Sequence, residues 1–135
     1  MLWNLDHSTI LFESKDASPL VRVGWNRIDT NFVYCFGLDS ENVPVIDIRS
    51  PAVPVSVLPS LGATSAAWAP HSAAHLLISD SMGFSLWDLK ESVERPKWTL
   101  ACDQPGETPI NFVWPTKHPD HFAYLTPSQL IVSKI

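Results

Sequence analysis

Three tryptophans recur in one register along this chain: Trp25, Trp68 and Trp114. Each closes a short apolar run, and each is followed at once by turn-forming residues: Asn26 to Asn31, Ala69-Pro70-His71-Ser72, and Pro115 to Asp120. The tryptophans lie 43 and 46 residues apart. Asp47 and Asp88, each at the end of a later apolar run, lie 41 apart. Self-similarity at a fixed period means that one supersecondary unit is repeated. A unit of this length has room for about four short strands.

The clearest copy runs from Thr64 to Leu89. A small-residue strand ends in Trp68, a turn follows, Leu76-Leu77-Ile78 forms a second strand, and a third closes on Trp87-Asp88. Strand, turn, strand, turn, strand closing on Trp-Asp, at a period in the low forties, is the pattern of a β-propeller blade of the WD-repeat kind. An ordinary β-sandwich with scattered tryptophans is the competing arrangement. Three passes in one register favour the blade.

The rest of the chain divides on the same pattern. Residues 19–58 read as one blade, with strands over Pro19–Trp25, Phe32–Leu38, Val43–Ile48 and Pro54–Leu58. Within Pro19–Trp25, Leu20, Arg22 and Gly24 alternate with Val21, Val23 and Trp25, the period of two of a sheet. Residues 64–102 read as the next blade, with Trp98-Thr99-Leu100 as its fourth strand, and 109–135 as an incomplete last blade ending in Leu130–Ile135. Residues 1–18 read as the end of a preceding blade, with a strand end at Met1–Leu5, where Trp3-Asn4 replaces Trp-Asp, and a strand at Ser8–Glu13. The expectation for residues 1–135 is therefore all-β: a partial propeller of about three blades plus a leading strand pair, with no closed ring in one chain. Closed rings have typically four to eight blades. Open blade faces at the two ends call for a second, ring-completing chain, for self-association, or for a marginally folded polypeptide.

Composition narrows the class further. Twelve prolines oppose long helices, because each removes a donor and blocks the helical ladder. A net charge of −5 argues against direct nucleic-acid binding, which needs a basic face. Two cysteines, Cys35 and Cys102, are too few for a disulfide scaffold. No leader-like start and no apolar run near the roughly 18 residues of a membrane span is visible. Cytoplasm and nucleus are the expected compartments, with no membrane partner.

The strings V-R-V-G-W-N-R-I-D-T-N-F, V-I-D-I-R-S-P-A-V-P-V, A-W-A-P-H-S-A-A-H-L and L-W-D-L, with H-S-T-I-L-F-E near the start, carry a closer likeness. They resemble the C-terminal half of the WD-repeat family that contains the plant Transparent Testa Glabra regulator and its animal counterpart, a scaffold for DYRK-type kinases. The resemblance implies a non-enzymatic scaffold in a regulatory complex, with transcription factors or protein kinases as partners. It also implies an alternative, a substrate receptor of a cullin-type ubiquitin ligase that meets a ligase adaptor. A truncated paralogue with little activity is a third reading.

The chain departs from the family pattern at a buried polar network of His, Ser or Thr, Asp and Trp. The Asp expected six residues before Trp87 is Ser81, with Asp80 one place early; the first repeat has Asp39-Ser40 there, and Ile46 replaces its Trp. The Gly-His before the first strand is replaced by a shortened Pro59-Ser60-Leu61-Gly62. The expectation is a lost network, at roughly 0.5–1.5 kcal/mol per hydrogen bond, with packing resting more on apolar contacts.

Partner-binding candidates follow from the turns. Asp47-Ile48-Arg49 and Asp88-Leu89-Lys90 are two copies of one strand end. The resemblance places such an element at the adaptor-docking surface of ligase receptors, where the planar fork of an Arg suits a carboxylate. A strand-end Asp bonding its own turn, beside a solvated Arg, is the alternative. Trp98 is either an exposed anchor or core. Trp25, Trp68, Trp87 and Trp114 are structural repeat positions. His71/His75 and His118/His121 have zinc-compatible spacing but no cysteine pair beside them. No phosphate loop, nucleophile elbow or metalloprotease motif appears. The chain is expected to be no enzyme and to hold no cofactor or metal.

Overall fold

The strand β6 (His75–Asp80) shows why the sheets stack. Its side chains alternate in direction, yet Leu76, Leu77, Ile78 and Ser79 are all buried. A strand apolar on both faces must lie between two layers. The computed structural model describes residues 19–135. The strand pair expected within residues 1–18, and Trp3, lie outside the described residues.

Among the described residues all regular structure is strand, in three antiparallel sheets. The first joins β1 (Arg22–Trp25), β2 (Phe32–Phe36), β3 (Ser40–Asp47) and β4 (Ser56–Ala63) in chain order. The second joins β5 (Ser65–Trp68), β6, β7 (Gly83–Asp88) and β8 (Trp98–Ala101). The third holds β9 (Asn111–Val113), β10 (His121–Leu125) and β11 (Leu130–Lys134). Each is a meander, and the leading strands β1, β5 and β9 lie next to one another. This is a partial WD-repeat propeller, and the three described sheets form no closed ring.

Two cores follow from the alternation. Tyr34, Phe36, Val43, Val45 and Leu58 of the first blade meet Leu76, Ile78 and Trp87 of the second. Leu77, Phe84 and Leu86 point the other way, onto Phe112, Phe122 and Tyr124 of the third. Each fully buried side chain of this size contributes about 1.5–3 kcal/mol. At the far side of the third sheet Val113, Leu125, Leu130 and Val132 share one face by register and are exposed.

Two local features depart from the sequence pattern. The fourth strand, expected over Pro54–Leu58, runs from Ser56 to Ala63. A register shift between Ser40 and Asn42 and a positive φ of 78° at Gly62 let it continue past Pro59, since glycine takes that conformation without a Cβ clash. Only Thr64 then separates β4 from β5. At Gly24 the Tyr34 ring lies where a Cβ would stand, within 2.2 Å. That approach lets the Tyr34 hydroxyl donate to the Ala66 carbonyl of the second blade at 2.5 Å.

Candidate functional site

β3 ends on Asp47, and the chain reverses through Ile48, Arg49 and Ser50. The Ser50 N–H donates to the Asp47 carbonyl at 3.0 Å. The Arg49 N–H donates to Asp47 Oδ1 at 2.9 Å. The Arg49 guanidinium donates as well, Nε to Oδ1 at 2.9 Å and Nη2 to Oδ2 at 2.7 Å. The result is a bidentate pair closed within one turn. The Arg49 side-chain bond, then its backbone N–H, holds the Asp47 carboxyl below the usual carboxylate range. The Arg49 side chain is 64% exposed, so the fork is oriented while still facing solvent.

The second copy is braced differently. The Lys90 N–H donates to Asp88 Oδ1 at 3.0 Å, reproducing the backbone half of the turn. Asp88 Oδ2 faces His75 Nε2 at 3.4 Å and Lys97 Nζ at 3.6 Å, and the other His75 nitrogen, Nδ1, shares a 2.7 Å hydrogen bond with the Ser72 hydroxyl. Desolvation pushes the Asp88 carboxyl up, but the Lys90 N–H, His75 and Lys97 outweigh it and leave it lowered. The Lys90 ammonium makes no ion pair among the described residues.

The two turns meet at one opening. A cleft of about 290 Å³ lies between the first and second blades, lined by Phe32, Val45, Asp47, Val55, Leu89 and Lys90 among others. Its walls are mostly apolar, with one carboxylate and one ammonium at the edge, and Asp47 brings Arg49 to the rim.

The repeated tryptophans also share an opening. Trp25, Trp68 and Trp114 line a second cleft of about 540 Å³, with Arg27, Tyr34 and Pro70. Trp25 Nε1 donates to the carbonyl of Thr30, and Trp114 Nε1 to that of Pro119, each at 2.8 Å and each five residues on. Trp68 breaks the pattern and donates across the seam to Gly24 O at 3.1 Å. The carbonyl it gives up, Ala73 O, accepts instead from Asn26 Nδ2 at 2.9 Å. Asn26 is buried, and its Oδ1 also accepts the N–H groups of Ile28 and Asp29. Trp87 is buried in the first core, with Nε1 donating to the Ser85 hydroxyl at 3.0 Å. Trp98 packs its edge against Phe122 at 6.3 Å.

The polar network expected to be lost is rebuilt from other residues. Thr64 Oγ1 pairs with the buried Ser79 hydroxyl at 2.8 Å and donates to Pro109 O of the third blade at 2.9 Å. Ser65 O, 3.3 Å from Ser79 Oγ, is the alternative acceptor for that same hydroxyl proton. Asp80 accepts the Leu61 N–H at 3.1 Å and the Met82 N–H at 2.9 Å. Among the described residues no buried side-chain polar atom lacks a partner. Thr64 makes its link to the third blade from the single residue between β4 and β5. Asn26, Ser79 and Thr64 were the residues that sequence reasoning missed. Their signal was small polar side chains at strand ends, which is weak because such residues are common in turns.

Among the described residues no three His, Cys, Asp or Glu side chains gather as metal ligands would. The His71 and His75 rings stack at 6.4 Å, and His121 bonds Asp120 at 2.7 Å. Burial pushes the half-buried Cys102 thiol up, away from the thiolate a nucleophile needs.

No protein-family model matches the chain. It is similar to the DDB1- and CUL4-associated factor 7 homolog of Dictyostelium discoideum, 34% identical over 99% of this chain and 42% of that protein. It is also similar to an uncharacterized WD repeat-containing protein of Schizosaccharomyces pombe, 30% identical over 79% of this chain and 30% of that protein. The chain spans less than half the length of these curated relatives.

Proposed function

We propose, from the premise that this chain is a WD-repeat protein, that it is a non-catalytic interaction scaffold that holds a partner protein at the cleft between its first two blades. One observation carries the reading: the fold brings Asp47 and Lys90, from two separate repeats, to the edge of one apolar opening, with the Arg49 fork held ready beside it. Apolar walls supply burial, and oriented charges at the rim supply register and on-rate. Rigid strands position the loops that make the contact. The likeness of the Val21–Leu89 strings to transcription-regulating and kinase-holding WD-repeat scaffolds supports a regulatory complex as the setting.

A second reading is favoured by one relative's name, which associates that protein with DDB1 and CUL4. On this reading the partner at the cleft is a DDB1-type ligase adaptor, and Arg49 offers its outer edge to an adaptor carboxylate. Purified DDB1 and the chain separate the two readings. Ligase docking predicts capture that falls at least tenfold for Arg49→Ala and for Lys90→Glu, and equal capture by wild type and both variants removes it. Proximity labelling in cells tests the scaffold reading: proteins enriched by wild type and lost by both variants are cleft partners. An identical labelled set for all three chains defeats the cleft as the docking site.

A further inference from the structure

The turn that carries Arg49 ends in a serine followed by proline, Arg49-Ser50-Pro51. Serine or threonine before proline also occurs among the described residues at Thr108-Pro109 and Thr126-Pro127. The fold treats the three differently. Thr126 is buried and its hydroxyl donates to the Glu107 carboxylate, while its backbone N–H is bonded to Gln129. Thr108 is half-buried, and Pro109, which a kinase would have to grasp, is fully buried. Ser50 is exposed, and its hydroxyl has no hydrogen-bond partner among the described residues. The loop beyond it, Pro51 to Pro54, donates no backbone hydrogen bond among the described residues, so it can be drawn out without breaking a ladder. A kinase needs an accessible segment that can be drawn out to an extended form, and of the three only this turn, outside every strand, meets that condition.

We propose that Ser50 is a phosphorylation site for a proline-directed kinase and that the phosphate captures Arg49 from Asp47, switching the docking rim. The regulatory half rests on the docking reading above. In the transfer, the Ser50 Oγ–P bond forms, the bond from the γ-phosphorus to ADP breaks, and the hydroxyl proton passes to the kinase's base. The product carries roughly −1.5 to −2 charges. Its position is set by the Ser50 N–H, bonded to the Asp47 carbonyl at 3.0 Å, which folds Ser50 back beside the Asp47–Arg49 pair. An adjacent guanidinium satisfies a phosphate dianion better than a single carboxylate. Once Arg49 turns to the phosphate, Asp47 stands beside a like charge, and the rim changes from a neutral ion pair to a net negative patch. A partner that presents a carboxylate to Arg49 is then repelled.

The purified chain is incubated with MgATP and a mitogen-activated protein kinase, and the sites are mapped by mass spectrometry. The expected result is phosphate at Ser50, at least tenfold less in Pro51→Ala, with Thr108 and Thr126 unmodified in the folded chain. No phosphate at Ser50, or equal incorporation in Pro51→Ala, overturns the site. The Arg49 Nε–H resonance of ¹⁵N-labelled chain is expected to move on phosphorylation; an unmoved resonance overturns the transfer of Arg49. Purified DDB1 then separates the two failures. Loss of capture by both Arg49→Ala and the phosphorylated chain, with Ser50→Ala immune to kinase treatment, supports the switch. Loss by Arg49→Ala but not by the phosphorylated chain overturns it. Full capture by Arg49→Ala means that DDB1 docking has failed, and the incorporation and resonance results then decide the site and the rearrangement.

Discussion

The seam between the first and second blades and the seam between the second and third use the same strand positions for different ends. The first is largely aliphatic, with Val43, Val45, Leu58, Leu76 and Ile78 around Tyr34 and Trp87. It opens into the cleft at Asp47; the cleft at the repeated tryptophans, lined by Trp114 and Thr116 of the third blade as well, borders both seams. The second is ringed: Phe84 meets Phe122 and Tyr124 at 4.8 and 4.7 Å, and Phe112 and Trp98 close on Phe122 at 6.3 Å. Edge-to-face rings fill volume and add about 0.5–1.5 kcal/mol per pair beyond their burial. Polar links from side chains to backbone carbonyls cross both seams. The first seam is crossed by Asn26 to Ala73 O and Trp68 to Gly24 O, the second by Thr64 to Pro109 O. Partner contact is therefore best placed where the seam is open, and rigidity where it is filled.

The contrast can be broken most sharply at Phe122, which is fully buried among the rings. Phe122→Ala is expected to cost about 3–5 kcal/mol, measured by urea unfolding, and a loss under 1 kcal/mol would mean that the second seam is not the stiff one. Asn26→Ala should cost about 2 kcal/mol, because it leaves Ala73 O and two turn N–H groups without their buried partner. If it costs nothing, Asn26 does not brace the first seam, and the links from Trp68 and Tyr34 carry its polar share.

Tyr34→Phe comes next, at about 1 kcal/mol for the bond to Ala66 O. Burial pushes the Tyr34 phenol up to about 12, against a smaller opposing pull from Arg22. A raised folded value means stability that is fully present below the ordinary value of about 10 and lost as pH rises through about 12. Wild type should lose stability across that window more steeply than Tyr34→Phe, and parallel curves would show that Tyr34 ionises as it does in the unfolded chain. The smallest effect is Arg49→Ala, whose pair with Asp47 lies in solvent. Its melting temperature should match wild type while partner capture falls, and a clear drop in melting temperature would make the pair structural instead.

Strand order was legible because alternation and period survive in one dimension. Val23-Gly24-Trp25 and Ala66-Ala67-Trp68 match in register, and both are leading strands of their sheets. The end of β4 was not legible, because Pro59-Ser60-Leu61-Gly62 looks like a loop until Asp80 supplies an acceptor for the Leu61 N–H. The substitute network was hidden for the same reason: Thr64 and Pro109 are far apart in the chain and meet only when the second and third blades stack. Asp47 and Arg49 were visible as a candidate pair because a two-residue turn is local. That Lys90 would stand at the same opening was not, since that depends on how two sheets are set against each other.

The sequence by itself determined the repeat and the order of the strands, and it singled out Asp47 and Arg49 at one strand end. These depend on side-chain direction and on hydrogen bonds over a few residues, which a linear pattern encodes. The tertiary structure alone decided which carbonyl each tryptophan meets, how the polar network is rebuilt, and where the clefts open. Those follow from contacts between sheets, where a shift of a few ångströms exchanges one partner for another and leaves no periodic trace in the chain.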